Sequence, residues 1–316
     1  MNFTHLESEI QRSFNAGLLT NIAIKIGRGD EVLFEKYRSC VQNIDENTRF
    51  DMASVTKILC TTTLTLRAID KGLLDVNDSV GKFFDLPTDK KDLKIFHLLT
   101  HTMGFGHKHL DFDHVNYGNV AEFILSIPCD VQIGSQVLYS CPGFILLGKI
   151  LEKIYGERLD TLFEKYVCSP IGMSDTSFGS KDENTVNANG DLSMRGVVND
   201  YNCRHLGGVA GNAGVYSNMK DLTKFAKILL ARGGDIISQK TFDTASKNYT
   251  EGLLETRALG FVYSDSRYHL TAGLFEKAIG HGGHTGQSLF ADPLTGLYVI
   301  LLTDATLNVA KNYKKD

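Results

Sequence analysis

The sequence lacks the features that mark several large protein classes. Its 316 residues carry a formal net charge of −4, so there is no surplus of basic residues to bind nucleic acid. No apolar run approaches the roughly 20 residues that a membrane-spanning helix needs. The N-terminal stretch has no basic segment followed by an apolar one, which is the pattern of a secretory signal. We therefore predict a cytoplasmic protein with no nucleic-acid partner and no membrane span.

Paired cysteines are also missing. The six cysteines are widely spread and none forms a C-x-x-C pair, which argues against a zinc site and favours reduced thiols. What the chain does have is apolar sequence: 42% of its residues are hydrophobic and 22% are charged, as in globular proteins. A chain of this length has room for two packed subdomains.

The stretch from residue 50 to 66, FDMASVTKILCTTTLTL, contains an S-x-x-K pattern at Ser54 and Lys57. On a helix these two positions share a face, about 5–6 Å apart at Cβ. A serine beside an amine that takes its proton is a candidate nucleophile. The surrounding apolar residues are dense enough for a buried helix, and burial favours a lowered pKa for Lys57. The pattern alone also arises by chance, because serine and lysine are common residues.

Strand patterns lie at both ends of the chain, and helical patterns predominate between them. An amphipathic helix opens the chain, and strands are predicted at 21–27, 31–38, 258–264, 285–291 and 296–303. Helices are predicted, among others, at 142–155, 159–167 and 218–232.

This distribution predicts an α/β (α+β) fold with one antiparallel five-stranded sheet flanked by helices. The sheet subdomain would comprise residues 1–70 and 205–316. An all-helical subdomain, residues 71–204, would be inserted between these two parts.

Two further motifs follow the S-x-x-K pattern. Tyr139-Ser140-Cys141 precedes a helix with proline near its start, and His281-Gly282-Gly283 opens the strand predicted at 285–291. The set resembles that of serine β-lactamases and penicillin-binding proteins, in the branch with class C β-lactamases, D-Ala-D-Ala carboxypeptidases and family VIII esterases. Other stretches are similar to that family as well, namely FHLLTHTMGF, SPIGMSDTSF and GGVAGNAGVYSN. The resemblance covers nearly the whole chain and implies a β-lactamase/transpeptidase-like fold.

The resemblance implies acyl transfer through a covalent serine intermediate, without metal or cofactor. Ser54 would attack a carbonyl, and Lys57 and Tyr139 would move its proton; which of the two is the base stays open. The backbone N–H groups of Ser54 and His284 would form the oxyanion hole. The resemblance places four residues against the substrate: Cys141, His281, Gly282 and Gly283.

The motifs depart from the family pattern at two positions. Cys141 stands where β-lactamases and carboxypeptidases usually have an asparagine that orients an amide, and a thiol is only a weak donor and acceptor. His281 stands where lysine is usual, and histidine has an ordinary pKa near 6.5. Both changes favour an esterase, or a peptidase for an unusual amide. They also predict that a substrate carboxylate binds better as the pH falls through the pKa of His281.

Histidines elsewhere in the chain invite other interpretations. His107, His109 and His114 lie close together, but in an irregular segment without a metal motif, so we predict no metal site there. His97 and His101 belong to the HLLTHT stretch, and the resemblance makes them structural. Asn212 stands where many relatives have histidine, and its role is open.

We predict a serine hydrolase that acts on a small ester or amide. Two alternatives stay open: a D-Ala-D-Ala-type carboxypeptidase or penicillin-binding peptidase with weak β-lactamase activity, and a non-catalytic binding protein with the same fold. Acyl transfer to an alcohol or amine would share the same intermediate. The natural substrate and the oligomeric state do not follow from the sequence.

Overall fold

The main sheet is built from strands near the two ends of the chain. A computed structural model of the protein describes residues 2–107, 114–180, 183–186, 192–263 and 278–304. The strands in this part of the chain are β1 (Asn21–Arg28), β2 (Glu31–Ser39), β3 (Arg49–Asp51), β4 (Ser177–Phe178), β5 (Thr185–Val186), β6 (Val215–Ser217), β7 (Val262–Tyr263), β8 (Ile279–Gly282), β9 (Ser288–Asp292) and β10 (Leu297–Thr303).

The described helices run between and beside these strands. They are α1 (Thr4–Asn15), α2 (Thr63–Asp70), α3 (Ile95–Leu99), α4 (Val120–Ser126), α5 (Cys141–Tyr155), α6 (Leu159–Phe163), α7 (Ser169–Ile171), α8 (Tyr201–His205), α9 (Met219–Leu230) and α10 (Gln239–Ala245). The predicted α/β fold with an antiparallel sheet is confirmed. The division into a sheet subdomain and an inserted helical subdomain stays a prediction.

The main sheet has six antiparallel strands, where the sequence predicted five. Their order is β2-β1-β10-β9-β8-β7. The missed strand is β8, which contains His281 and Gly282, while β9 begins only at Ser288. Strand β8 contains glycines, which are not typical of strand sequences. Gly280 is needed because a Cβ there would meet the backbone oxygen of Leu289 at 2.0 Å. Strand β7 is shorter than predicted, and residue 264 of that prediction lies outside the described residues.

A second, smaller sheet was not predicted. Its strands have the order β4-β6-β3-β5 and are only two or three residues long. Runs this short carry no periodic signal in the sequence. The small sheet matters for the site, because β3 leads directly into the turn that carries Ser54.

Helices cover the main sheet on both faces, as predicted. Ile10 and Phe14 of α1 pack on Ile22 and Ile24 of β1, which is why apolar residues alternate along that strand. Helix α9 packs against β9 and β10. The helix begins after Asn218, whose side chain accepts a hydrogen bond from the backbone N of Asp221 at 2.9 Å and caps the N-terminus of the helix.

Helix α5 lies in the core, and the tyrosine motif precedes it. Ser140 caps the helix through a 3.2 Å bond from the backbone N of Gly143, and Pro142 occupies the first turn as predicted. The glycine-rich segment 207–214 runs close to this helix: a Cβ at Gly211 would meet the backbone oxygen of Phe144 at 2.0 Å. The glycines therefore serve close packing. None of the described helices combines the length and apolar character needed to cross a bilayer.

Candidate active site

Ser54 sits in a short turn between a strand and a helix. A 3₁₀ turn spans Ala53–Val55 and a π-helical turn spans Lys57–Thr62, so the predicted uninterrupted helix is wrong at its start. Residues 50 and 51 pair with β6 instead. Ala53 has φ +44°, an uncommon conformation for a side-chain-bearing residue. Ser54 and Lys57 still meet, with 3.0 Å between Lys57 Nζ and Ser54 Oγ.

The helix after Lys57 is fastened to its surroundings by threonine hydroxyls. Thr61 Oγ1 donates to the backbone oxygen of Gly211 at 2.6 Å, and Thr62 Oγ1 donates to that of Gly260 at 3.3 Å. Thr65 Oγ1 donates to the backbone oxygen of Thr61 at 2.7 Å. All three side chains are buried, so these bonds satisfy hydroxyls that would otherwise be costly to bury.

The structure brings Tyr139 to the same serine. Its hydroxyl donates to Ser54 Oγ at 2.7 Å. Lys57 is fully buried and its ammonium has three acceptors: Ser54 Oγ, the Cys141 sulfur at 3.5 Å and the backbone oxygen of Asn212 at 3.0 Å. An ammonium has three N–H donors, so these contacts use all of them. Ser54, Lys57, Tyr139 and Cys141 thus form one connected network.

Burial and mutual charge shift the pKa values of this network. Burial lowers the pKa of Lys57, but the negative charge that Cys141 and Tyr139 acquire when they ionise raises it, and the net direction is upward. The predicted depression of the lysine pKa is therefore wrong. Burial raises the pKa of the Tyr139 hydroxyl, and the charge of Lys57 offsets only part of that rise. The Cys141 thiol has a raised pKa for the same reasons. The resting site at neutral pH thus contains an ammonium, a phenol and a thiol.

His101 positions the loop that carries Tyr139. Its Nδ1 accepts a 2.9 Å hydrogen bond from the backbone N of Ser140, and its own backbone oxygen accepts one from the backbone N of Leu138 at 2.8 Å. The ring lies 4.7 Å from that of Tyr139. Burial, together with the charges of Arg257 and Lys57, lowers the pKa of His101 well below its usual range. A neutral ring keeps Nδ1 as an acceptor, so His101 does more than fill space.

His281 is buried and neutral, which overturns the expected carboxylate binding through its charge. The residue is 3% exposed, and burial and the charge of Lys57 lower its pKa well below 6.5. Its Nδ1 lies 2.6 Å from the backbone oxygen of Gly282. A neutral imidazole must place its proton on Nδ1 to make that bond. The sequence did not reveal this, because burial of one strand residue depends on the packing around it.

Gly283 brings the end of β8 against the Ser54 turn. A Cβ at this position would lie 3.0 Å from the backbone oxygen of Met52 and 3.3 Å from the Cβ of Ala53. A glycine permits this close approach. The next residue, His284, borders the same cavity as Ser54. The two residues predicted to supply the oxyanion hole therefore border one space.

A cavity of about 590 Å³ opens over Ser54. One side is formed by the Ser54 turn with Tyr139 and Cys141, and the other by a wall that we define as residues 199–202. The full lining consists of Ala53, Ser54, His107, Tyr139, Cys141, Asn199, Asp200, Tyr201, Asn202 and His284. A space of this size admits a small-molecule substrate. His109, from the histidine cluster in the sequence, lies outside the described residues.

Asp51 joins the two sides of the cavity, and the sequence analysis missed it. One carboxylate oxygen accepts from the backbone N of Ala53 at 2.8 Å, and the other accepts from the backbone N of Asn199 at 2.7 Å. The residue is 4% exposed, and burial raises its pKa to about 6, although these two bonds oppose the rise. An acidic residue within an otherwise apolar stretch, three positions before the predicted nucleophile Ser54, was the available signal.

Asn212 links Lys57 to the wall. Its backbone oxygen accepts from Lys57, and its side-chain Nδ2 donates to Asp200 Oδ1 at 3.0 Å. Asp200 also caps α8 through the backbone N of Cys203 at 2.8 Å. This gives Asn212, whose role the sequence left open, a position between the network around Ser54 and the wall.

Comparison with known proteins places this arrangement in a family. A family model described as Beta-lactamase matches residues 13–314. The N-acetylmuramyl-L-alanine amidase of Bacillus subtilis (strain 168) is 26% identical over 302 residues, covering 81% of this chain and 68% of the relative. A putative D-alanyl-D-alanine carboxypeptidase of Escherichia coli (strain K12) is 28% identical over 305 residues, covering 81% of this chain and 69% of the relative.

Solved structures share the fold at lower sequence identity. The octameric penicillin-binding protein homologue from Pyrococcus abyssi superposes with a TM-score of 0.79 at 20% identity, covering all of this chain and 78% of the other. EstCE1, a hydrolase with promiscuous acyltransferase activity, has the same TM-score and identity, covering 96% of this chain and 93% of the other. With residues 13–314 matched and the sheet and helices arranged as in these structures, this chain belongs to the β-lactamase family, a superfamily of hydrolases.

Proposed function

We propose that the protein is a serine hydrolase that cleaves small esters or amides through a covalent acyl-enzyme. One observation carries the proposal: Ser54 Oγ lies 2.7 Å from the Tyr139 hydroxyl and 3.0 Å from Lys57 Nζ, at the floor of a cavity. These are hydrogen-bond distances at which a nucleophile exchanges its proton with a neighbouring group.

In the first half-reaction Ser54 Oγ bonds to the substrate carbonyl carbon. The Tyr139–Lys57 pair first gives one proton to solvent, so that its reactive form is a phenolate beside an ammonium. The Ser54 proton passes to that phenolate, and the carbonyl oxygen becomes an oxyanion facing the backbone N–H groups of Ser54 and His284. The bond to the leaving alcohol or amine then breaks, and the leaving group takes the proton from the pair. In the second half-reaction water attacks the acyl-enzyme, gives a proton to the pair, and releases the acid as Ser54 regains its proton.

Tyr139 is the better candidate for the group that receives the proton directly. It is nearer to Ser54 Oγ, and the ammonium of Lys57, 5.0 Å from the centre of its ring, stabilises a phenolate as it forms. Lys57 would act as the charge that makes this transfer favourable. Because the two groups are coupled, a pH–rate profile would report the pair.

The lining favours esters over peptides with a terminal carboxylate. Cys141 is 3% exposed and its sulfur contacts Lys57, so it offers little to an amide. His281 is neutral and buried, so it carries no charge for a carboxylate. A carboxypeptidase is the second candidate, favoured by the similarity to the putative D-alanyl-D-alanine carboxypeptidase. The same two residues argue against it.

Intact-protein mass spectrometry tests the proposal directly. The protein is exposed briefly to p-nitrophenyl acetate, a fluorophosphonate and a penicillin, beside Ser54→Ala and the control Ser135→Ala, which alters an exposed serine. We expect adducts and ester turnover that depend on Ser54 and survive Ser135→Ala, with little stable penicilloyl product. A long-lived penicilloyl adduct would favour the peptidase. A folded protein that forms no adduct with any probe would be a non-catalytic binding protein.

A further inference from the structure

The wall of the cavity carries a carboxylate that the proposed acyl transfer does not use. Asp200 borders the cavity together with Ser54 and Tyr139, and it is partly exposed. Its Oδ1 atom accepts both hydrogen bonds described above, from the backbone of Cys203 and from the side chain of Asn212. Two fixed donors thus orient the carboxylate through one of its oxygens. The carboxylate is thus held in place at the edge of the substrate space.

The charge of Asp200 affects the pKa values of two groups in the network around Ser54. It contributes to the raised pKa values of Lys57 and Cys141, after the larger effects of burial and of nearer groups. Interactions between charges weaken with distance and with solvent screening, so such an effect requires proximity inside the protein. A charged substrate in this cavity would feel the same carboxylate.

Three basic side chains near Ser54 are either paired with protein groups or buried in a neutral form. Lys57 donates all its protons within the catalytic network. Arg257 is 2% exposed and pairs with Glu255 at 2.5 Å. His281 is buried and neutral. A substrate carboxylate would meet the charge of Asp200 without help from these three, whereas an ammonium group would be attracted to it.

We infer that Asp200 binds a positively charged amine, and that the preferred substrates are small esters or amides whose acyl part carries a free ammonium group. The inference rests on the proposed function. The acyl part is favoured because Asp200 borders the cavity together with Cys141, which stands where the family's asparagine orients the acyl side-chain amide. A charge-assisted hydrogen bond of this kind typically changes binding about 10- to 100-fold.

An isosteric pair of esters tests this assignment. Alanine benzyl ester and benzyl isobutyrate differ only in an ammonium group replaced by a methyl group, and both enantiomers of the alanine ester are measured at pH 6.5. The readout is the ratio of kcat/KM for the charged ester to that for the neutral ester. Taking this ratio in wild type and in Asp200→Asn removes the intrinsic difference in ester reactivity. We expect the ratio to fall about 10- to 100-fold in the variant.

Asp200→Asn is suited to this test because an asparagine keeps an oxygen for the two donors that hold the side chain. The matched control is Asp160→Asn, which removes the same charge at a residue that pairs with Arg158 and does not border the cavity. Its ratio should equal that of wild type. An equal ratio in wild type and Asp200→Asn, with neutral ester turned over by Ser54, would overturn this inference and leave the proposed function standing. Absence of Ser54-dependent turnover of either ester would overturn both.

A measurement on the wild type alone covers the case in which Asp200→Asn does not fold. Alaninamide and isobutyramide form the same ammonium-to-methyl pair and serve as competitive inhibitors of benzyl isobutyrate hydrolysis. We expect one enantiomer of alaninamide to have an inhibition constant at least about 10-fold lower than that of isobutyramide. Equal constants for both amides would contradict amine binding at Asp200.

Discussion

Replacing Asp51 with asparagine tests how the buried carboxylate is linked to folding. Burial raises its pKa from the 3.8 of an exposed aspartate to about 6, and the charge of Asp200 adds to the rise. The folded protein therefore holds this proton more tightly than the unfolded chain does. Stability is lost as the pH rises from about 4 to about 6, because ionising Asp51 costs more in the folded state.

The magnitude follows from the difference in pKa. The difference is about 2 units, and each unit corresponds to about 1.4 kcal/mol, so the full effect is about 3 kcal/mol. Between pH 4.5 and 7.5 about 2 kcal/mol of this falls within reach of experiment. Asparagine does not titrate, so the hydrogen bond that Asp51→Asn loses changes stability by a constant amount over this range.

The assay is urea unfolding of wild type and Asp51→Asn at several pH values between 4.5 and 7.5. We expect the stability of wild type relative to the variant to fall by about 2 kcal/mol across this range. Asp70→Asn is the control, because hydrogen bonds from Ser238 and Thr241 lower the pKa of Asp70 and its contribution to stability is nearly complete above pH 4.5. The stability of wild type relative to Asp70→Asn should therefore stay nearly constant across this range. Parallel curves for wild type and Asp51→Asn would refute the reasoning.

Three further predictions concern the cavity. Cys141→Asn supplies an amide donor and acceptor. The value of kcat/KM for a peptide-like amide, relative to that for an ester, should therefore rise about 3- to 10-fold. An unchanged ratio would show that Cys141 does not set the preference for esters. KM for an ester with a carboxylate should stay flat from pH 6 to 8, because burial holds the pKa of His281 well below 6.5. A steady decrease in KM toward low pH would restore His281 as the binding charge. Gly283→Ala places a Cβ 3.0 Å from the backbone oxygen of Met52, so we expect kcat to fall at least about 10-fold through a displaced oxyanion hole, and wild-type kcat would contradict that placement.

Local patterns in the sequence predicted those helices and strands that are specified by residues near one another in the chain. Alternation in β1, the amphipathic pattern of α9 and the proline at the start of α5 each appear as expected. Strand β8 was missed because its glycine is required by close contact with a neighbouring strand, which leaves no local pattern in the sequence. The six-stranded order itself depends on pairings between residues far apart in the chain.

In the candidate site, too, the sequence predicted local features better than those that depend on distant segments. The motifs identified Ser54, Lys57 and Tyr139, and the structure brings these three together. The properties of the groups were less predictable, since the pKa values of Lys57 and His281 depend on burial and on partners from distant segments. The missed residues follow that rule as well. Asp51 and Asp200 gain their significance only when the turn and the wall meet.

The threonine bonds behind Lys57 have a consequence for motion. Turning or sliding that helix would break hydroxyl bonds to Gly211 and Gly260 together, and both donor side chains are fully buried. We therefore expect the Lys57 side of the cavity to stay rigid when substrates of different shape bind. The opposite side of the cavity, residues 199–202, is linked to the Ser54 turn by the hydrogen bond from the backbone N of Asn199 to Asp51. Amide hydrogens of the helix should accordingly exchange only with global unfolding, and those of the wall should exchange sooner.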